Sequence, residues 1–205
     1  MNHLLATETK AQNLFEGRMT LEELVSDIGD AIVRIDKSTE RFRTFQPGVG
    51  PYGEPQLVKL VAAHLKQIPK YGALLRTMRT PDLLIPASWA LEFKIARPFG
   101  DNGKEAENWA INLLHPYVGN VSSLGDCQKL ARYQGPEKRA VIVVGYEHMP
   151  PVIDLTILVR SFEAIAEHVL GLNLSPRITV QRTGLVHPVH QTVHLFAWEI
   201  LDRVI

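Results

Sequence analysis

Three features of this 205-residue chain predict an α/β domain: apolar residues at helical spacing near the N-terminus, short strand-like segments in the middle, and the β-branched run Ala140-Val141-Ile142-Val143-Val144. The run suits a strand buried on both faces, which in turn needs helices on either side of its sheet. With 45% hydrophobic and 21% charged residues the chain can bury one sizeable core unaided. We expect a single domain, residues 1–205, with residues 1–50 as an N-terminal helical extension and 51–205 as the core.

Thr20-Leu21-Glu22-Glu23 has the form of a capping box, and Leu24, Val25, Ile28, Ile32 and Val33 follow at helical spacing, so a helix is expected to about Lys37. Gln46 to Gly53 is dense in Gly and Pro and reads as an ordered loop. A second helix starts near Glu54-Pro55, buries Leu57, Leu60, Val61 and Leu65, and ends at Pro69. Ala73 to Thr80 suits a strand. Asp82 to Ile85 and Leu91 to Ala96 then form a hairpin around a Pro86-to-Trp89 turn. Arg97 to Val121 reads as an insertion over one end of the sheet, and Ser122 or Ser123 caps a helix reaching Leu130 to Tyr133. After the Val141 strand, an amphipathic helix is expected over Asp154 to Leu170. Closing strands are expected at Ile178 to Gln181 and Thr192 to Ile200.

Composition excludes several chemistries. A single cysteine, Cys127, permits neither an intramolecular disulfide framework nor Cys-rich zinc ligation. No segment approaches the roughly 20 apolar residues of a membrane span, and Met1 to Thr7 has only a brief Leu-Leu-Ala patch, so a cytoplasmic protein is expected. The 22 basic and 22 acidic residues cancel, so any nucleic-acid affinity has to come from local charge.

The chemistry is concentrated in the hairpin. Side chains alternate along a strand, so Glu92 and Lys94 share a face, while Leu91, Phe93 and Ile95 take the other. Nine residues separate Asp82 from Glu92, with the turn midway, which brings the two carboxylates together. Forced together they repel, and a hard divalent cation relieves that repulsion while keeping waters for chemistry. Lys94, partly desolvated beside such a cation, is expected to have a depressed pKa and to orient or deprotonate water, or to stabilise transition-state charge. The plainer reading is a turn-forming Asp82 with a solvated Glu92–Lys94 pair. The apolar flanks Leu83-Leu84-Ile85 and Ile95-Ala96 argue against it, because buried charges without partner or purpose are costly.

Pro81-Asp82, nine residues, then Glu92-Phe93-Lys94 resembles the active-site signature of the PD-(D/E)xK nuclease superfamily, and the helix–hairpin–helix–strand order from about Glu54 to Val144 is similar to that family's core. The resemblance implies a restriction-endonuclease-like fold, a mixed central sheet flanked by helices, and magnesium-dependent hydrolysis of DNA, with manganese as a substitute and no organic cofactor. Asp82, Glu92 and Lys94 would be catalytic, and Asp82 and Glu92 would hold the metal with help from Glu54 on the preceding helix. Glu54 is equally explained by the helix macrodipole. Lys104, Gln128, Lys129 and Arg132 are the candidate nucleic-acid contacts. Tyr133 lies five residues from Gln128, so the Gln-x-x-x-Tyr variant of some exonuclease-like relatives is not reproduced. Cutting two strands makes a homodimer plausible. The alternative is a non-catalytic module that keeps the nuclease-like fold to bind DNA or a protein partner.

Other groups carry less. His187, His190 and His194 invite zinc, but their spacing fits no metal motif. Trp89, Phe99 and Trp109 flank the expected site and can either stack bases or fill the core.

Overall fold

The computed structural model describes residues 19–38, 40–72, 74–117, 119 and 122–202. Helix α1, Leu21–Lys37, begins at the expected capping box: Thr20 Oγ1 accepts from the Glu23 N–H at 3.2 Å, and Glu23 Oε2 accepts from the Thr20 N–H at 3.0 Å. Helix α2, Glu54–Leu65, starts with Pro55 in its first turn, where no intrahelical N–H is needed, and is followed by a 3₁₀ turn at Pro69–Tyr71. Three strands follow: β1 (Arg76–Thr77), β2 (Leu83–Ile85) and β3 (Trp89–Ala96). Of the strand expected over Ala73 to Thr80, Ala73 lies outside the described residues, and Leu74 to Thr80 supplies only the two residues of β1 to the sheet. A short helix α3 (Ile111–Leu114) lies within the insertion, and α4 (Ser123–Ala131) is capped by Ser122, whose Oγ accepts from the Gly125 N–H. Strand β4 (Lys138–Glu147) leads to α5 (Leu155–Ala164), capped by Asp154. The expected single helix to Leu170 instead widens into a π turn over Ile165–Val169. Strands β5 (Asn173–Leu174), β6 (Ile178–Thr183) and β7 (Thr192–Leu201) close the chain.

The sheet runs β1-β2-β3-β4-β7, with β5 and β6 pairing along the outer edge of β7. Only the β3–β4 pair is parallel, which requires a crossover connection, and α4 lies on that crossover. Helices α1 and α2 cover one face and α3, α4 and α5 the other. The fold is therefore a mixed seven-stranded sheet between helical layers. Alternation sorts the core: Leu83, Leu91, Phe93, Ile142, Val144 and Leu195 pack with α1 and α2, while Leu84, Ala90, Val141, Val143, Phe196 and Trp198 pack with α4 and α5. Leu24, Val25, Ile28 and Ile32 of α1 are fully buried in the first of these clusters, so α1 is built into the same core as α2. No helix of the described residues is long and apolar enough to cross a membrane.

Candidate functional site

The hairpin register pairs Leu83 with Leu91 and Leu84 with Ala90; continued by one residue, it sets Asp82 opposite Glu92. Opposed residues of an antiparallel pair share a face, so both carboxylates face the α4 layer. Asp82 also completes the ladder. Its Oδ2 accepts the Phe93 N–H at 2.8 Å, a donor that β2 no longer reaches. Glu92 is 3% exposed, its Oε1 has no hydrogen-bond partner, and its carboxyl lies within hydrogen-bond reach of Asp82. Burial, then the charges of Asp82 and Asp126, push the Glu92 carboxyl up to about 9. Burial also raises Asp82, against the Phe93 N–H, and raises Glu54 against Lys94.

One residue pair along β3, Lys94 extends between two carboxylates, its Nζ 3.2 Å from Glu54 Oε1 and 3.1 Å from Asp126 Oδ2. The depressed lysine expected from the sequence is not what this geometry produces. Burial pulls Lys94 down, but Glu54 and Asp126 outweigh it, and the ammonium is held above its ordinary pKa. Asp126, 1% exposed on α4, also binds the Lys129 ammonium through Oδ1. The cluster therefore contains four carboxylates (Glu54, Asp82, Glu92 and Asp126) and two ammonium groups (Lys94 and Lys129), or 4 − 2 = 2 excess negative charges when all are ionised. A divalent cation would neutralise that excess. Among the described residues no three His, Cys, Asp or Glu side chains form a ready-made metal cage. Asp82 and Glu92 offer a pair of carboxylates with one orphaned buried oxygen, which fits a magnesium-type ion that retains much of its water.

Glu54 reaches the site because the Gln46-to-Gly53 loop is tied down just before it. Arg97 donates to the Gly50 carbonyl at 2.6 Å, and the buried Asp36 accepts from the Val49 and Val186 N–H groups at 2.9 and 2.8 Å. Gly48 turns with φ +107°, which favours glycine, and a Cβ on Gly50 would lie 2.2 Å from His190 Nδ1. Asp101 accepts the Gln46 N–H and binds His187 Nε2 at 2.7 Å. Because His187 Nδ1 accepts from the Val189 and His190 N–H groups, its proton sits on Nε2 and is donated to Asp101. His190 donates from Nε2 to the Phe99 carbonyl at 2.9 Å, and the two imidazoles stack with centroids 4.3 Å apart. His194 Nε2 lies 2.7 Å from a Glu147 oxygen without the alignment of a hydrogen bond. His187 and His190, two of the histidines singled out in the sequence, are thus committed to positioning contacts.

The structure brings Asp82, Glu92, Lys94, Glu54 and Lys129 together. Gln128 and Arg132 instead line a separate depression of about 360 Å³ with Arg139, and Lys104 sits exposed on the loop that closes the Phe99–Glu105 bridge. Trp89 is 1% exposed and donates to the Met19 carbonyl, so it belongs to the core. Phe99 packs edge-on against His148, and Trp109 borders a cleft beside Lys94. Asp126 was missed as a site residue. The available signal was a carboxylate on the stripe Ser123, Asp126, Cys127 and Leu130, all buried on α4. Compared with known proteins, the chain matches no family model, and no curated protein and no solved structure is significantly similar to it.

Proposed function

We propose that the protein is a metal-dependent nuclease hydrolysing DNA phosphodiester bonds at the Asp82–Glu92–Lys94 cluster. The observation that carries the reading is the buried, unpartnered Glu92 oxygen opposite Asp82, one residue pair from a lysine held between two carboxylates. Stability alone gives no reason to bury excess negative charge in this way, whereas a site that takes up a cation requires it. The succession α2, β1 to β3, α4, β4, with β3 parallel to β4, supports the resemblance to the PD-(D/E)xK nucleases.

In this reading Asp82 and Glu92 hold the ion, and Glu54 serves it through Lys94. A bound divalent cation supplies a Lewis acid and a nucleophilic water near neutral pH. Asp82 keeps its orientation through the Phe93 N–H. Lys94 places its ammonium beside the reacting phosphate, where negative charge builds. Glu54 and Asp126 fix that ammonium from two sides, so little reorganisation is needed at the moment of reaction. Fully protonated, Lys94 stabilises charge and orients water and does not act as a base.

The test is cleavage of supercoiled plasmid and single-stranded DNA in magnesium or manganese by wild type, Glu92→Ala and Lys94→Ala. Each substitution is expected to lower the rate at least about 100-fold, and chelator to abolish it. Equal cutting by all three proteins would assign the activity to a contaminant. Tight DNA binding without cutting would favour a binding module instead.

A further inference from the structure

Beside Lys94 the site opens into a cleft of about 390 Å³, bordered by Glu54, Lys94, Ile95, Arg97, Trp109 and Asn112. The cleft differs in character from the Asp82–Glu92 pair. Trp109, half-buried, packs on the apolar cluster beneath α4 and α5, and its Nε1 donates to Glu105 at 3.4 Å. The indole also borders a second depression of about 430 Å³ on the outside. Arg97 spends one of its five N–H groups on the Gly50 carbonyl, and the exposed Asn112 presents an amide with both donor and acceptor. The lining charges cancel: Lys94 and Arg97 face Glu54 and Glu107. A groove that follows a phosphate backbone is cationic, so beyond Lys94 this cleft, neutral overall, suits a flat, neutral, hydrogen-bonding group better than a run of phosphates.

We propose that this cleft receives one unstacked nucleobase of the substrate, with Trp109 as the stacking platform and Asn112 and Arg97 reading its edge. The inference rests on the nuclease reading and adds a substrate class: single-stranded or frayed DNA. A base within a duplex has both faces covered by its neighbours, so it can stack on Trp109 only after leaving the helix. The spacing agrees. Lys94 stands about 6.6 Å along β3 from Glu92, so a phosphate held at the carboxylate pair has an adjoining base at the cleft mouth.

Fluorescence provides the test, because Trp89 and Trp198 are each 1% exposed and Trp109 is the tryptophan a ligand can touch. Phosphorothioate octathymidylate, which resists hydrolysis, is titrated in magnesium against wild type, Trp109→Phe and Trp109→Ala, alongside a blunt phosphorothioate duplex. The expected result is saturable quenching by the single strand and little by the duplex. Trp109→Phe, which keeps an aromatic face, retains affinity and loses the quenching, and Trp109→Ala binds about tenfold more weakly by anisotropy. Absence of quenching, equal quenching by the duplex, or unchanged affinity in Trp109→Ala would overturn the proposal. Failure of the nuclease reading looks different: quenching persists, but unmodified single strands are not cut in any divalent metal. Duplex cutting without quenching would leave the nuclease and remove the cleft.

Discussion

Two polar clusters lie on and just beyond β3, and they are built on opposite principles. In the cluster around Asp36, Asp101, His187 and Arg97, each charged group meets a matched donor or acceptor, much of it backbone. Its orphan is the neutral Nδ1 lone pair of His190. In the cluster around Glu92, carboxyl groups outnumber ammonium groups and a buried carboxyl oxygen is left without a partner. The first holds three chain segments in place. The second stores unfavourable electrostatics that a ligand would relieve. A buried charge is therefore informative through what it lacks.

If the contrast is correct, substitutions in the two clusters move stability in opposite directions. The largest effect is expected from Asp36→Ala, which leaves the Val49 and Val186 N–H groups unpaired in the interior and should cost about 3 kcal/mol in urea unfolding. Asp36→Asn, which keeps one acceptor oxygen, should recover part of that. A neutral result for Asp36→Ala would show that the loop is not anchored there.

Acid should act on the same cluster. Burial pushes His190 down to about 4 from an ordinary 6.5, since a proton added at Nδ1 would find no acceptor. The unfolded chain takes up that proton near pH 6.5 and the folded protein does so only near 4. The contribution is therefore complete above pH 6.5 and is lost as pH falls through that window, amounting to about 2.5 kcal/mol at pH 4.5. Unfolding midpoints at pH 7 and 4.5 should show a shallower slope in His190→Gln than in wild type. Identical slopes would assign acid sensitivity to other groups.

The other cluster should respond with the reverse sign. At pH 7.5 without metal, Glu92, pushed up to about 9, must take up a proton as the chain folds; Glu92→Gln removes that requirement and should stabilise the protein by about 1–2 kcal/mol in chelator, while abolishing cleavage in magnesium. A lowered melting temperature would mean that Glu92 is a structural group like Asp36. The smallest change sets the scale: Thr20→Ala, remote from both clusters, removes one exposed cap and should cost about 1 kcal/mol.

Much of this architecture was legible because local chemistry and tertiary structure agree. The capping box at Thr20 places α1, Pro55 and Pro69 bracket α2, and the run from Ala140 to Val144 lies in β4, buried on both faces. Alternation alone put Glu92 and Lys94 on one face. Other features depended on partners that spacing does not reveal. The strand expected from Ala73 is cut to two residues because β2, its partner, is itself only three residues long. The π turn after Ala164 leaves no mark in helical periodicity. The Lys94 pKa went the opposite way because Asp126, from a helix thirty residues later, joins Glu54 in outweighing burial. Gln128 on α4 and Arg132 at its C-cap point to another flank than Asp126, which depends on how the helix is rotated over the sheet.

The tight connection Pro86 to Ser88 between β2 and β3 constrains how this chain can vary in length. One residue inserted there shifts the pairing by one, and Asp82 then meets Leu91 and faces the α1 and α2 layer, separated from Glu92 by the thickness of the sheet. The surrounding layers would survive such an insertion, but the carboxylate pair would not. The connection that begins at Arg97 does not set the hairpin register, so beyond the Arg97, Phe99 and Asp101 contacts it can change length without unpairing Asp82 from Glu92. Of the two connections that flank β3, it is therefore the one in which a change of length keeps the carboxylate pair.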